Sequence, residues 1–216
     1  MYWTRYYNQL AFNSKWSWHN ELDNRRFFEH NIQHHFISHS HLHYLILPNL
    51  DLSLGVTYSR QSPQFTNLPN RLVVPEIRPF QEITLTTPFS KRLTFSQRLR
   101  IDERFIHSNN GIELLNGYEF NWRFRYRMQA TVLISKIGVK YPTHLKLANE
   151  LMINAGKNIV FNYFDQNRFY VGIEHAFSKK IAIEAGYLHW FQQRNTGNQF
   201  FNRDIFRLTL YHRIKL

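Results

Sequence analysis

The chain has 216 residues, a formal net charge of +12 and 17% aromatic residues. This length suits one domain, and the absence of cysteine excludes disulfides and thiolate metal sites. A nucleic-acid-binding surface needs its Lys and Arg on one face, whereas here they are spread along the whole chain, so we expect no nucleic-acid partner.

Alternating apolar and polar residues mark extended segments, because successive side chains of a strand point to opposite faces. No apolar run reaches the roughly 18 residues of a transmembrane helix. In chain order the pattern predicts strands over 2–12, 16–27, 34–46, 50–60, 75–87, 92–106, 118–132, 144–154, 168–177, 180–192 and 204–216.

The segment 118–132 has the clearest alternation. Its apolar positions are Tyr118, Phe120, Trp122, Phe124, Tyr126, Met128, Ala130 and Val132. Its polar positions include Arg123, Arg125 and Arg127. The segment is about 15 residues long, whereas soluble strands average roughly 5–6 and a membrane-spanning strand needs roughly 9–11. Aromatics on one face and arginines on the other favour a transmembrane barrel over a soluble sandwich.

The connections between these segments differ in length. Short turns are predicted at Ser14-Lys15, Pro48-Asn49, Ser90-Lys91, Ser135-Lys136 and Ser178-Lys179. Longer polar connections are predicted around 61–73, 107–116, 155–166 and 193–203. Short turns at one end and long loops at the other are typical of outer-membrane barrels, with the short end in the periplasm. No export signal is visible at Met1, so we expect a mature chain with an added start methionine.

The fold class that follows is all-β, a single antiparallel transmembrane β-barrel over 1–216 in the outer membrane of a Gram-negative bacterium. Eleven segments are visible, but bacterial barrels normally have an even number of strands. We therefore expect twelve strands, with ten as the alternative. The expected partners are membrane lipid and lipopolysaccharide, with other outer-membrane proteins as further candidates.

Several strings, taken in order, carry a family resemblance: KWSWHNELDNR at 15–25, PEIRPFQ at 75–81, QRLRIDERF at 97–105, WRFRYR at 122–127, LANELMIN at 147–154, FDQNRFYVGIEHAF at 164–177 and EAGYLHW at 184–190. The chain resembles an uncharacterised family of Bacteroidota outer-membrane β-barrels, catalogued as a domain of unknown function. The resemblance covers nearly the whole chain and implies an outer-membrane barrel, but no activity. Family members commonly end in an aromatic residue, and this chain ends in Leu216.

The polar faces of the predicted strands carry a set of charges that would face the lumen. The basic members are Arg25, Arg78, Arg98, Arg100, Arg104, Arg123, Arg125, Arg127, Lys146, Arg168, Arg207 and Arg213. The acidic members are Glu21, Asp23, Glu76, Glu82, Asp102, Glu119, Glu150, Glu174 and Glu184. Because Arg pairs bidentately with carboxylates and a small barrel has little spare interior, we expect a salt-bridged lumen. This predicts a structural or accessory subunit of an outer-membrane assembly. The alternative is a narrow, anion-preferring pore for small acidic solutes, since arginine rings attract anions.

Two further kinds of site are weaker candidates. His39, His41 and His43 share one face of a strand, where a His-x-His pair could contribute to a zinc site. An outer-membrane hydrolase is the remote alternative, because a triad can assemble from distant residues. The chain has no His-x-Ser, and His39-Ser40 and His107-Ser108 would point to opposite faces. We therefore expect no enzyme activity and no cofactor.

Overall fold

A computed structural model describes residues 1–68 and 70–216, which form a closed barrel of eleven strands. The strands are β1 (Tyr2–Ala11), β2 (Trp16–Arg26), β3 (Gln33–Leu47), β4 (Leu50–Gln61), β5 (Val74–Pro88), β6 (Leu93–Asn109), β7 (Leu114–Leu133), β8 (Thr143–Ala155), β9 (Phe164–Ala176), β10 (Ile181–Gln193) and β11 (Phe200–Lys215). Each predicted segment overlaps one of them. A single 3-10 turn, Glu29–Asn31, lies between β2 and β3. No helix in the described part of the chain is long and apolar enough to cross a membrane.

Consecutive strands pair antiparallel, and the barrel closes where β1 meets β11. The expectation of twelve strands, with ten as the alternative, is not met in the described residues. An odd number of strands joined by hairpins leaves the first and last strands running in the same direction. They therefore pair parallel, from Tyr2 opposite Phe206 to Ala11 opposite Lys215. Closure with one parallel pair still leaves no unpaired strand edge.

The connections at the two ends of the barrel differ less in length than the sequence suggests. Here the turn end is the one with connections 12–15, 48–49, 89–92, 134–142 and 177–180, and the loop end has 27–32, 62–73, 110–113, 156–163 and 194–199. The predicted short turn at Ser135-Lys136 is a nine-residue connection. The predicted long loop 107–116 is a tight turn, because Asn110 Oδ1 accepts the backbone N–H groups of Ile112 and Glu113, both at 2.9 Å. Gly111, with φ +85°, permits this turn.

The burial pattern is the reverse of a soluble barrel. In β11 the apolar side chains of Phe206, Leu208 and Leu210 are exposed on the outside. Between them, Arg207 and Thr209 are buried in the interior. Exposed large apolar side chains recur on the outer face of every strand, whereas most buried polar and charged residues lie on the inner face. The alternation predicted from the sequence is therefore confirmed, with its apolar side outward.

The polar residues that interrupt the outer face have partners on that face. Gln97 accepts a hydrogen bond from Tyr126 at 2.8 Å, and Glu103 accepts one from Gln81 at 2.9 Å. His212 Nδ1 lies 2.9 Å from the Tyr6 hydroxyl. Pairing of this kind lowers the cost of a polar group in apolar surroundings.

Candidate functional site in the barrel interior

The residues predicted to form the lumen charge network all lie inside the barrel: Glu21, Arg25, Glu76, Arg98, Arg100, Arg123, Arg125, Arg127, Glu150, Arg168, Glu174 and Arg207. They lie there because the polar positions of each strand alternate with apolar positions that face outward. Two further members were missing from the prediction, Arg5 on β1 and Asp165 at the start of β9.

Glu150 is the centre of the network in the middle of the barrel. Its Oε1 accepts from Arg98 Nη2 at 2.5 Å and from Arg125 Nη2 at 2.8 Å. Arg168 Nη1 is farther from Glu150 Oε2, at 4.0 Å. Asp102 completes this part of the network, because Arg100 Nε donates to it at 2.7 Å and Arg125 Nη1 lies 3.5 Å away. Arg98, Arg100 and Arg125 therefore each contact a carboxylate of this central group.

Glu76 forms a second centre nearer the loop end. Arg78 and Arg104 each donate two hydrogen bonds to its carboxylate, at 2.6 Å for both Arg78 bonds and at 2.5 and 3.1 Å for Arg104. All three side chains are buried. Such bidentate pairs hold the guanidinium in one orientation and also offset its charge.

A third centre joins β1 to β2. Arg5 donates to Asp23 through Nε at 2.5 Å and Nη2 at 3.0 Å, and its Nη1 lies 3.2 Å from Glu21. Arg25 Nη2 also donates to Asp23 at 3.0 Å. Since β1 carries aromatic residues on both faces, its sequence gives little sign that Arg5 points inward.

A fourth centre lies on β8 to β11. Glu184 accepts from Arg207 at 2.5 Å, from Lys146 at 2.6 Å and from the Tyr170 hydroxyl at 2.6 Å. Lys146 also donates to Glu174. The Tyr170 ring lies across Gly172 and Gly186, where an added Cβ would fall 2.1 and 2.4 Å from its hydroxyl oxygen. These two glycines make room for the tyrosine that reaches Glu184.

The interior contains a cavity of about 760 Å³, which extends from the middle network to the loop end. One wall is apolar, from the buried cluster Trp3, Ala148, Tyr170, Leu188, Trp190 and Ile205. Arginines of β5 to β7 form the facing wall. Some buried polar atoms on the cavity have no protein partner among the described residues, including Trp3 Nε1, Trp190 Nε1, Arg25 Nε, His35 Nε2 and Gln192 Oε1. Because buried polar groups normally have partners, this cavity suits polar contents.

The described residues of the connection 62–73, namely 62–68 and 70–73, are here called the strap and cross the mouth of this cavity. Arg203 on β11 donates to Gln64 at 2.8 and 2.7 Å. Asn70 donates to the Ile112 carbonyl at 2.8 Å, and Arg71 donates to the Gln33 carbonyl at 3.2 Å. These contacts attach the strap to three separate points of the rim. The strap therefore spans the loop end from β11 to the turn between β6 and β7.

The predicted histidine triple His39, His41 and His43 does not come together as one group. His39 Nδ1 lies 2.6 Å from Thr57 Oγ1, whereas His41 and His43 contact His19 of the neighbouring strand. The sequence could not place His19, since its position depends on the register between β2 and β3. His39 is inside the barrel, and Ser40 is bonded to Trp18 and Asn20 on the outer face. The adjacent His-Ser pair thus does not form a dyad.

Comparison with known proteins gives a family. No curated protein matches the chain. A family model described as protein of unknown function (DUF2490) matches residues 1–201. The predicted resemblance to a domain of unknown function is confirmed, and its attribution to Bacteroidota stays a prediction. With most of its length matched, the chain belongs to the family described as protein of unknown function (DUF2490).

Proposed function

We propose that this protein is an outer-membrane β-barrel of a Gram-negative bacterium. The apolar outer face supports this, because such a surface is unfavourable in water but suits lipid. Exposed aliphatic side chains such as Leu54, Leu99 and Ile173 lie within the strands, between the two rims. Aromatic pairs lie at both rims: Phe105 with Phe120 and Phe191 with Phe200 near the loops, and Trp16 with Tyr44 and Phe89 with Phe95 near the turns. An apolar band between aromatic girdles is typical of membrane barrels.

Within that membrane we propose a structural or accessory role, as a subunit of a larger outer-membrane assembly. The observation that carries this proposal is the obstructed interior: four carboxylate centres lie inside the barrel, and the strap crosses the loop end. A lumen obstructed in this way is poorly suited to passage of solutes. Membrane lipid and lipopolysaccharide would surround the barrel, and other outer-membrane proteins would contact its loops.

A narrow, anion-preferring pore is the second candidate, and one specific observation favours it. Arg127 donates to Gln129 at 2.6 Å but makes no ion pair with the described residues, and Arg168 lies 4.0 Å from its nearest carboxylate. Both line the cavity of about 760 Å³. Weakly paired guanidinium groups in a confined space would attract a small acidic solute.

Planar-bilayer recordings distinguish these two roles. If the interior is closed, the unmodified protein should give no ion current. The combined change Arg123→Ser, Arg125→Ser and Arg127→Ser should open a pathway, since three long side chains leave and the carboxylates Glu150 and Asp165 lose partners. If the protein is a narrow pore, the unmodified barrel should instead give a small, anion-preferring current, and the triple change should reduce that preference.

The control is Lys91→Ser, Lys136→Ser and Lys179→Ser, which removes the same three charges from the turn end. It should leave both current and selectivity as they are in the unmodified protein. A wide, cation-selective current from the unmodified barrel would contradict both roles.

A further inference from the structure

Three histidines come together inside the barrel near the turn end. His19 on β2 lies directly opposite His41 on β3 in the strand register, and His43 follows two residues later on the same face. All three are buried. One ring nitrogen from each lies within 4.8 Å of those of the other two. Two neighbouring strands thus place three imidazoles around one point.

Each of these rings has one nitrogen near an oxygen outside the cluster. His43 Nδ1 lies 2.5 Å from Asp51 Oδ1, and His19 Nδ1 lies 2.5 Å from the Tyr7 hydroxyl. His41 Nε2 lies 3.4 Å from Glu21 Oε1. Metal-binding histidines characteristically present their second nitrogen to a carboxylate or other oxygen, which fixes the ring and makes the ligating nitrogen more basic.

The remaining nitrogens of His41 and His43 face each other, whereas the remaining nitrogen of His19 lies beside Ser17. His43 Nε2 and His41 Nδ1 are 2.8 Å apart, and His19 Nε2 is 2.9 Å from Ser17 Oγ. The His19 and His43 rings are stacked with centroids 3.7 Å apart. Two imidazolium cations at that distance would repel strongly, so the stack does not hold two charged rings. Neutral imidazoles keep a nitrogen lone pair for a metal ion.

The alternative is a purely structural cluster, with the His43–His41 contact as an ordinary hydrogen bond and the stack as packing. That reading explains the 2.8 Å contact. It does not explain why an oxygen also lies close to the other nitrogen of each ring: the Tyr7 hydroxyl at His19, Asp51 at His43 and, at 3.4 Å, Glu21 at His41. A divalent ion would use that arrangement, and His19 would turn out of its stack to bring its nitrogen to bonding distance, roughly 2.0–2.1 Å for zinc.

We propose that His19, His41 and His43 bind one divalent transition-metal ion of the zinc class. Imidazole ligands suit zinc, copper and nickel, and three protein nitrogens leave a fourth position open to water or a ligand. Asp51 and Glu21 would orient two of the ligands and offset the charge of the ion. The Asp51 side chain, near the turn end of β4, is 26% exposed, so this edge of the site is the one nearest to solvent. His39 is not part of this site.

Calorimetric titration tests the proposal with the complete chain in detergent, without a histidine tag and after treatment with a chelator. The unmodified protein should bind one equivalent of Zn²⁺. His41→Ala and His19→Ala should each weaken binding by at least about 10-fold, and Asp51→Asn by about 10–100-fold. The matched control is His39→Ala, a change on the same strand and face, which should leave zinc affinity unchanged. Circular dichroism of each variant shows whether it folds.

A measurement on the unmodified protein keeps the test decisive if a histidine variant fails to fold. Bound Co²⁺ in place of zinc should give the intense visible absorption of a four-coordinate ion with nitrogen ligands. The proposal is overturned if the unmodified protein binds no zinc at micromolar concentration. It is also overturned if bound Co²⁺ has the weak spectrum of a hydrated ion, or if His39→Ala weakens binding as much as His41→Ala.

Discussion

Phe124→Arg should severely reduce folding of the barrel into lipid vesicles. Phe124 is exposed on the outer face of β7, between Ile101 of β6 and Ile153 of β8. In the proposed orientation this position faces the middle of the bilayer, where Arg costs about 2–4 kcal/mol. That cost is a large fraction of the stability of an ordinary domain. The measurement is the folded fraction in vesicles, followed by circular dichroism and by gel mobility without heating.

The matched control for this change is Ile112→Arg. Ile112 is also an exposed apolar residue, but it lies in the 110–113 turn outside the strands. It should therefore fold as the unmodified chain does. Equal folding of the two variants would mean that the outer face of β7 does not contact lipid.

Glu150→Ala should destabilise the folded barrel by about 3–5 kcal/mol, as expected when one partner of a buried ion pair is removed. The change leaves Arg98 and Arg125 without their closest carboxylate. The two cations would then lie in the interior near Arg168 without a charge to offset them. Urea unfolding of the protein in lipid gives the difference in free energy of unfolding.

Glu113→Ala serves as the control for Glu150, because Glu113 is exposed in the 110–113 turn. A surface change of this kind should stay within about 0.5 kcal/mol. If Glu150→Ala is equally mild, water must screen the interior charges, and the lumen would be open rather than filled.

Much of this fold follows from the alternation of residues alone. The segment 118–132 identifies β7 because its aromatic and arginine positions separate by parity, and the same rule places Arg207 inside and Phe206 outside. Arginines at inward positions are expected to pair with carboxylates. This is why the network could be expected before its geometry was known.

Other features depend on how separate strands and loops contact one another, which the residue pattern of one strand does not show. The parallel contact between β1 and β11 depends on how the sheet closes, and the usual even number of strands pointed to a different count. Asp165 lies before the predicted start of its strand at 168, so its inward position was missed. His19 joins His41 only through the register of β2 with β3. The strap is attached to the rim by side chains such as Gln64 and Asn70. These residues lie in a connection without periodic alternation, so the sequence did not predict their contacts.

Cysteine labelling on intact cells tests most directly whether the barrel spans the outer membrane with its loops outside. The chain has no cysteine of its own, so in each single-cysteine variant the reagent can react only with the introduced cysteine. Lys157→Cys, exposed in the 156–163 loop, should react with a membrane-impermeant maleimide on intact cells. Lys179→Cys, exposed in the 177–180 turn, should react only after the outer membrane is permeabilised. Labelling of Lys179→Cys but not Lys157→Cys on intact cells, or of neither, would contradict this placement.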